Sequence, residues 1–262
     1  MQQGFETVET GRGLPLVCLH GLMGEPGNWA GIFPYLPENC RAIALRIPFF
    51  DEEIRLTSVP TIQEYVHQYL DHAGIDRVVL CGNSLGGHVS LRLALEMPKR
   101  VAGLVLAGSS GLFERELGGH QGANPPPEWL REKISDIFYD SEMATDEMVN
   151  AVVQILSKRR CRRDLVSIAK SAKRDNLAGR LGDVRCPSLL VWGRQDEVTP
   201  PEVAEEFHAL LPKSTLAWLH RCGYAPMMEY PDRFAAEIGP WWRQYVCNEG
   251  SVGAPSSAGR DS

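Results

Sequence analysis

Short apolar runs alternate along the chain with longer segments in which apolar residues recur every three or four positions. Continuous apolar runs of this length are typical of strands that a parallel sheet buries on both faces. The longer segments predict helices over residues 61–73, 85–97, 202–211 and 232–246. The short runs predict strands around Phe5–Glu9 and over residues 14–21, 41–47, 77–83, 101–108, 188–193 and 215–220. This order predicts an α/β domain with a mostly parallel central sheet flanked by helices.

The alternation stops after Gly111 and resumes near residue 184. Helical patterns at 126–139, 145–157 and 161–176 follow one another there, with no strand pattern between them. We interpret residues 112–183 as a helical lid inserted into a core domain made of residues 1–111 and 184–247. The reason is that similar apolar strands are predicted both before and after this helical segment. A separate second domain is the alternative. Residues 248–262 lack apolar periodicity, which predicts a disordered tail.

Composition restricts the class of partner. The 262 residues are 44% hydrophobic and carry a formal net charge of −6, which argues against nucleic acid or an anionic membrane as the main partner. No apolar run approaches the roughly 20 residues of a membrane helix, and the first residues lack a signal-peptide layout, so we expect a cytoplasmic protein. The seven cysteines include no CxxC pair, which argues against a disulfide framework or a zinc site.

The strongest chemical motif is Gly82-Asn83-Ser84-Leu85-Gly86, a G-x-S-x-G sequence between a predicted strand and a predicted helix. A sharp strand-to-helix turn holds such a serine at a strained backbone angle, so its neighbours must be small. The hydroxyl then projects above the carboxyl edge of the sheet, beside a helix N-terminus that favours negative charge. This setting predicts that Ser84 is a nucleophile.

Two further motifs follow neighbouring strands. His20-Gly21-Leu22-Met23-Gly24 forms a glycine-bearing loop whose Leu22 amide, together with that of Leu85, is the predicted oxyanion hole. We expect His20 to be a buried residue that holds this loop rather than a catalytic base. Asp196 follows strand 188–193 at the same sheet edge as Ser84 and is the candidate acid. The alternative role for Asp196 is to cap the helix that follows.

These motifs together resemble the α/β-hydrolase family, and within it the lid-bearing hydrolases of esters and of C–C bonds in ring-cleavage products. The similarity extends from Phe5 to about Val246 and rests on four segments: GNSLGGHVSLRLAL, GLVLAGSSGLFE, LLVWGRQDEVTPP and CGYAPMMEYPDRF. The resemblance implies an α/β-hydrolase fold, Ser84 as nucleophile, Asp196 as acid, and a histidine in the loop after strand 215–220. Tyr224 stands at that histidine's position, while its neighbours fit the family pattern.

Tyrosine is a poor replacement for a general-base histidine. The reference pKa of tyrosine is about 10 and that of histidine about 6.5, so only about one phenol in a thousand is ionised at pH 7. We therefore expect impaired hydrolysis of a small ester or related carbonyl substrate through an acyl-enzyme at Ser84. His220, four residues before Tyr224, is a possible substitute base. Two alternatives remain: a catalytically inactive small-molecule binder, and a non-hydrolytic enzyme that uses Tyr224 as a proton donor.

The sequence implies no cofactor, because it contains no phosphate-binding glycine loop and no cluster of metal ligands. The expected partner is a small-molecule substrate or ligand. The segment from Lys158 to Arg174 carries eight Lys or Arg residues and one acid, Asp164. A solvated helix face is the simpler interpretation. The more specific alternative is that Arg159, Arg160 or Arg163 binds a carboxylate of the substrate.

Overall fold

The computed structural model describes residues 4–114 and 125–247, and the tail predicted to be disordered lies outside them. Within these residues, seven strands form one sheet in the order β1-β3-β2-β4-β5-β6-β7. All neighbouring strands are parallel except β1, which pairs antiparallel with β3 at one edge. The strands are β1 (Thr7–Gly11), β2 (Leu14–Leu19), β3 (Cys40–Leu45), β4 (Val78–Asn83), β5 (Val101–Ala107), β6 (Ser188–Gly193) and β7 (Ser214–Leu219). The predicted α/β-hydrolase fold class is thereby confirmed.

Helices cover both faces of this sheet. Those outside the segment between β5 and β6 are α1 (Gly27–Ala30), α2 (Val59–His72), α3 (Leu85–Glu96), α7 (Pro201–Leu210), α8 (Pro226–Glu229) and α9 (Pro231–Trp241). Buried residues of α2, α3 and α7 form one hydrophobic core with the sheet, and those of α1, α8 and α9 form the second. The central strands β4 and β5 are buried along their whole length, which explains their continuous apolar sequences.

Three helices lie between β5 and β6: α4 (Pro127–Ser135), α5 (Asp146–Ser157) and α6 (Arg159–Arg174). Helices α4 and α5 contribute buried residues to the second core, whereas α6 packs on the first beside α2. The Ser171 hydroxyl accepts a hydrogen bond of 3.0 Å from the Val59 amide at the start of α2. The inserted segment is therefore tied to both faces of the domain. Whether it acts as a lid stays a prediction.

The C-terminal end differs from its prediction in one respect. A single helix was expected over 232–246, but α9 ends at Trp241 and a π-helical turn, Trp242–Cys247, continues the chain. Pro240 lies within the last turn of α9 and has no amide to donate to a preceding carbonyl. In the part of the chain that the structure describes, no helix has the length and apolar character that a bilayer crossing requires.

Candidate active site

The turn between β4 and α3 places Ser84 at a strained backbone position. Its backbone angles, φ 56° and ψ −124°, lie outside the regions that residues other than glycine ordinarily adopt. A Cβ at Gly82 would lie 2.4 Å from the Gly87 amide nitrogen, and one at Gly86 would lie 2.1 Å from the Leu19 carbonyl oxygen. The glycines of the motif are therefore required by close backbone approach, as the sequence predicted. The Ser84 amide donates to the Gly108 carbonyl at 3.1 Å.

The loop after β2 lies against this serine. A Cβ at Gly21 would be 2.8 Å from the Ser84 Cβ, so no larger residue fits there. The loop closes through a 3.0 Å hydrogen bond from the Gly24 amide to the Gly21 carbonyl. Leu22 follows Gly21 directly, and Leu85 is the first residue of α3, where amides have no partner within the helix. The loop that carries Leu22 is thus next to the turn that carries Leu85, although their role as an oxyanion hole stays a prediction.

His20 is buried and holds the loop, as expected from the sequence. Its Nε2 accepts a hydrogen bond of 3.0 Å from the Ile47 amide, and its Nδ1 lies 2.9 Å from the Gly21 carbonyl. The first contact requires an unprotonated Nε2, so the neutral ring donates through Nδ1. Burial lowers the pKa of His20 to about 4, which keeps it neutral at pH 7. Its two hydrogen bonds therefore fix the position of Gly21 over Ser84.

Asp196 lies in the loop after β6 and is almost fully buried. Its Oδ1 accepts hydrogen bonds of 2.8 Å from the amides of Val198 and Thr199, and its Oδ2 accepts one of 2.7 Å from the Thr199 hydroxyl. Burial raises the pKa of Asp196 to about 6, and the nearby Glu229 carboxylate adds to the rise, although the hydrogen bonds oppose it. The carboxylate stabilises its own loop, and its negative charge raises the pKa of the Tyr224 phenol.

Tyr224 lies next to the turn between β4 and α3 that carries Ser84. Its ring packs on Gly108, where a Cβ would lie 2.6 Å from the ring Cδ2. The Ser84 hydroxyl lies close enough to the phenol to affect the phenol's pKa. Burial raises the pKa of Tyr224 well above 10, and the negative charges of Asp196 and Glu114 raise it further, whereas the Ser84 hydroxyl lowers it. The phenol is therefore neutral at pH 7.

The backbone of this loop is held by bonds that do not involve the Tyr224 side chain. The Tyr224 amide donates to the Ile137 carbonyl at 2.9 Å, and its own carbonyl accepts from Asn83 Nδ2 at 3.3 Å. The Glu229 carboxylate accepts hydrogen bonds of 2.8 Å from the amides of both Gly223 and Tyr139. These contacts clamp the loop between α8 and the segment after α4.

His220, the possible substitute base, is not brought to this cluster. Its side chain is exposed at the end of β7, and its backbone carbonyl accepts a hydrogen bond of 3.2 Å from Arg233. The next residue, Arg221, has a φ of 58°. The geometry offers no support for His220 as the partner of Ser84.

A family model described as the alpha/beta hydrolase family matches residues 16–237, which is most of the chain. The chain belongs to the α/β-hydrolase family. It is 29% identical over 251 residues to a pimeloyl-[acyl-carrier protein] methyl ester esterase from Nitrosomonas europaea, covering 87% of this chain and 95% of that protein. It is 26% identical over 253 residues to a 2-hydroxy-6-oxo-6-phenylhexa-2,4-dienoate hydrolase from Burkholderia cepacia, covering 86% of each.

Solved structures agree with this assignment of family. The α/β-hydrolase enzyme MGS-MChE2, from the metagenome of lagoon sediments at Mar Chica, Morocco, is 35% identical to this chain with a TM-score of 0.76. The match covers 93% of this chain and 97% of that one. Hydrolases of esters and of C–C bonds are therefore both among the relatives of this α/β-hydrolase.

A polar cluster lies beside the turn that carries Ser84 in this α/β-hydrolase, and the sequence did not predict that its members contact one another. His88, fully buried on α3 one turn after Ser84, lies with its Nε2 3.1 Å from Asp175 Oδ2 and its Nδ1 3.5 Å from the Ser110 hydroxyl. Arg92 donates to both Asp175 oxygens at 2.8 Å. Burial raises the pKa of Asp175, but hydrogen bonds from His88 and Arg92 outweigh it and lower the pKa overall. The cluster ties the end of α6 to α3, the helix that follows Ser84.

The basic segment from Lys158 to Arg174 contains two kinds of cation: some bind other parts of the domain, and others are exposed on the surface. Arg160 donates to the backbone carbonyls of Phe50 and Glu52 at 3.0 and 3.1 Å, so it anchors that loop rather than standing free for a substrate carboxylate. Arg159 and Arg163 are exposed. The solvated helix face is the interpretation that the structure favours.

Proposed function

We propose that this α/β-hydrolase acts on a small ester or related carbonyl substrate through an acyl-enzyme at Ser84, and that its turnover is slow because Tyr224 stands where a general base is needed. The observation that carries the proposal is the position of the Tyr224 phenol, whose pKa is raised, next to Ser84: its ring packs on Gly108, whose carbonyl accepts a hydrogen bond from the Ser84 amide. The names of the relatives, one a methyl ester esterase and one a dienoate hydrolase, support ester and C–C bond substrates.

The proposed reaction begins with attack of the Ser84 oxygen on the substrate carbonyl carbon. The amides of Leu22 and Leu85 then hydrogen-bond the oxyanion, the leaving group departs with a proton, and water hydrolyses the acyl-enzyme. Each half of this cycle needs a group that takes a proton and returns it. A histidine does both near neutral pH, with Asp196 to orient it and stabilise its charged form.

The neutral phenol of Tyr224 donates a hydrogen bond to an oxygen but is a very weak proton acceptor at pH 7. Without a triad member, an enzyme of this kind retains about 10³–10⁴-fold acceleration over water, from the oxyanion hole and substrate binding. We expect the native chain to fall in this range. Its serine stays correctly placed, because the strain at φ 56° is imposed by the backbone and not by residue 224.

Turnover of a short-chain aryl ester by the native chain, Ser84→Ala and Tyr224→Phe tests the proposal. We expect slow turnover by the native chain, loss in Ser84→Ala, and little change in Tyr224→Phe, since the phenol contributes no base. Labelling by a fluorophosphonate, measured by intact mass, should be slow, and Ser84→Ala should abolish it. Ser110→Ala is the matched control, because Ser110 is a second buried hydroxyl at the same sheet edge and should leave labelling intact.

A second candidate function follows from the same placement of the phenol next to Ser84. A neutral phenol at this position is suited to donate a proton to a substrate oxygen, as phenols do in sites that polarise carbonyl groups. Loss of native turnover in Tyr224→Phe would favour this candidate over the impaired triad. Fast ester turnover by the native chain, near a typical kcat of about 10 s⁻¹, would contradict the proposal of impairment. Absence of both turnover and labelling would instead favour the small-molecule binder.

A further inference from the structure

Helix α6 has two chemically different faces. Its buried face packs into the domain through Cys161, Leu165, Ile168 and Ala172. On the opposite face, Arg159, Arg163, Lys170 and Arg174 are exposed and follow one another at helical spacing. We refer to these four residues as the basic stripe. At 1.5 Å per residue, the stripe is about 22 Å long. Val166, 47% exposed, lies between Arg163 and Lys170 on the same face.

The cations of the stripe differ from the other cations of α6 in the contacts that they make with the described part of the chain. Two other cations of the helix bind neighbouring segments: Arg160 donates to carbonyls of the loop before α2, and Arg162 donates to carbonyls at the end of α5. Within residues 4–114 and 125–247, by contrast, the side chains of the stripe form no hydrogen bond and no ion pair. Contacts among the described residues therefore do not explain their positions.

The N-terminal half of the stripe opposes helix stability, whereas Arg174 in the last turn is favoured by the helix dipole. The first turn of α6 contains no acidic residue, although a helix N-terminus favours negative charge. Arg159 and Arg163, like Lys170 and Arg174, are like-charged pairs four residues apart, and such pairs destabilise a helix. This concentration of positive charge occurs in a chain with a formal net charge of −6. An anionic partner would turn the repulsion along the stripe into attraction.

We infer that the basic stripe is a docking surface for an acidic protein that presents carboxylates along one helix. The stripe is one helix face wide, which matches the acidic face of a second helix. A flat bilayer or a nucleic acid would extend beyond it, toward the exposed acids Glu52 and Glu53 in the loop that Arg160 holds against α6. Val166 supplies the apolar contact usual near the centre of a protein interface.

The C-terminal end of the stripe lies beside the polar cluster next to Ser84. Asp175, the residue after α6, contacts His88, and His88 lies one turn after Ser84 on α3. The docking surface and the candidate active site are thus joined through one polar cluster. Docking itself requires no chemistry at Ser84, so the inference is independent of the proposed hydrolase activity and is tested by binding alone.

The test uses the full chain and a fluorescent helical peptide of about 18 residues, whose ~27 Å length exceeds that of the stripe. Its glutamates are spaced to face the stripe, and a second peptide of the same composition has them scattered around the helix. Anisotropy titrations compare the native chain with R163E/K170E. The matched control is K99E/R185E, which makes the same charge change at two exposed cations before β5 and β6. The neutral variant R163Q/K170Q covers the case in which the reversed variant fails to fold.

We expect saturable binding of the one-faced peptide that weakens at high ionic strength. The stripe variants should bind it at least ~10-fold more weakly, a loss of about 1.4 kcal/mol, and K99E/R185E should bind it as the native chain does. Equal losses in the stripe and control variants would overturn the inference, since only net charge would then matter. Equal binding of the scattered peptide, or tighter binding of phosphatidylserine vesicles or duplex DNA, would overturn it as well.

Discussion

Replacing Tyr224 with histidine is the sharpest perturbation that the site offers. The loop is held by the Ile137 carbonyl, by the Asn83 side chain and by Glu229, and none of these bonds involves the side chain at 224. The substitution should therefore change the chemistry without moving the backbone. An imidazole is smaller than a phenol, so it introduces no overlap with Gly108.

The expected gain follows from the two side chains' pKa values. At pH 7 an imidazole of pKa about 6.5 is roughly three-quarters neutral, whereas at most about one phenol in a thousand is ionised, because burial raises the Tyr224 pKa above its reference of about 10. The fraction of competent base thus rises by about 10³. General-base catalysis contributes about 10²–10⁴-fold. We expect Tyr224→His to raise kcat/KM for an aryl ester by at least ~10²-fold, a change of about 2.7 kcal/mol in the barrier.

The assay compares the native chain, Tyr224→His and Tyr224→His/Ser84→Ala between pH 5 and 8. Activity of the histidine variant should rise with pH, because the imidazole must be neutral to accept the proton and Asp196 must be ionised to orient it. The pKa of Asp196, raised to about 6 by burial, places this rise within the measured window. The double variant should lose the gain entirely.

Failure of Tyr224→His to gain activity, while it still reacts with a fluorophosphonate at Ser84, would refute this reasoning. It would mean that the shorter imidazole does not reach the Ser84 hydroxyl, or that the pocket no longer binds an ester. A gain that persists without Ser84 would refute the acyl-enzyme instead.

Three predictions concern stability and can be checked by urea unfolding. Gly108→Ala should destabilise the fold by at least about 1–3 kcal/mol, because φ at residue 108 is +48° and the new Cβ would meet the Tyr224 ring; no loss would contradict the packing described. Asp175→Ala should lower the free energy of unfolding by about 2–4 kcal/mol, because it removes the partner of Arg92 and His88. Arg41→Ala, which removes an exposed ion pair, should lower it by less than ~1 kcal/mol. Burial raises the pKa of Asp196 from 3.8 to about 6, so ionisation of this carboxyl costs more free energy in the folded than in the unfolded chain. As pH rises from 4 to 7, the native chain should therefore lose up to about 3 kcal/mol of stability relative to Asp196→Asn. An equal difference in stability between the two proteins at both pH values would contradict this prediction.

The central strands of the sheet were predictable because they are buried on both faces, which leaves a continuous apolar sequence. Ser84 and Asp196 were predictable for a related reason. Ser84 directly follows such a strand and Asp196 lies shortly after another, and parallel strands bring their carboxyl ends to one edge. The end of α9 was not predicted, because the 3.6-residue apolar pattern continues through Pro240 while the backbone changes to a π-helical turn.

The partners of His88 could not be read from the sequence. Asp175 is 87 positions away and belongs to the inserted segment, so no local pattern connects the two residues. Arg160 illustrates the opposite error: its place in a basic run suggested a ligand for a substrate carboxylate, but its hydrogen bonds go to backbone carbonyls about 110 positions earlier. Such long-range hydrogen bonds depend on how the insert lies on the core, which periodicity does not reveal.

The Glu229 clamp has a consequence for substitutions at residue 224. Since the loop owes its backbone conformation to main-chain bonds and to a carboxylate five residues downstream, replacement of the side chain at 224 removes none of these bonds. Substitutions at this residue should therefore change the chemistry of the site more than the course of its backbone. A single substitution is then enough to exchange one reactive group for another next to Ser84.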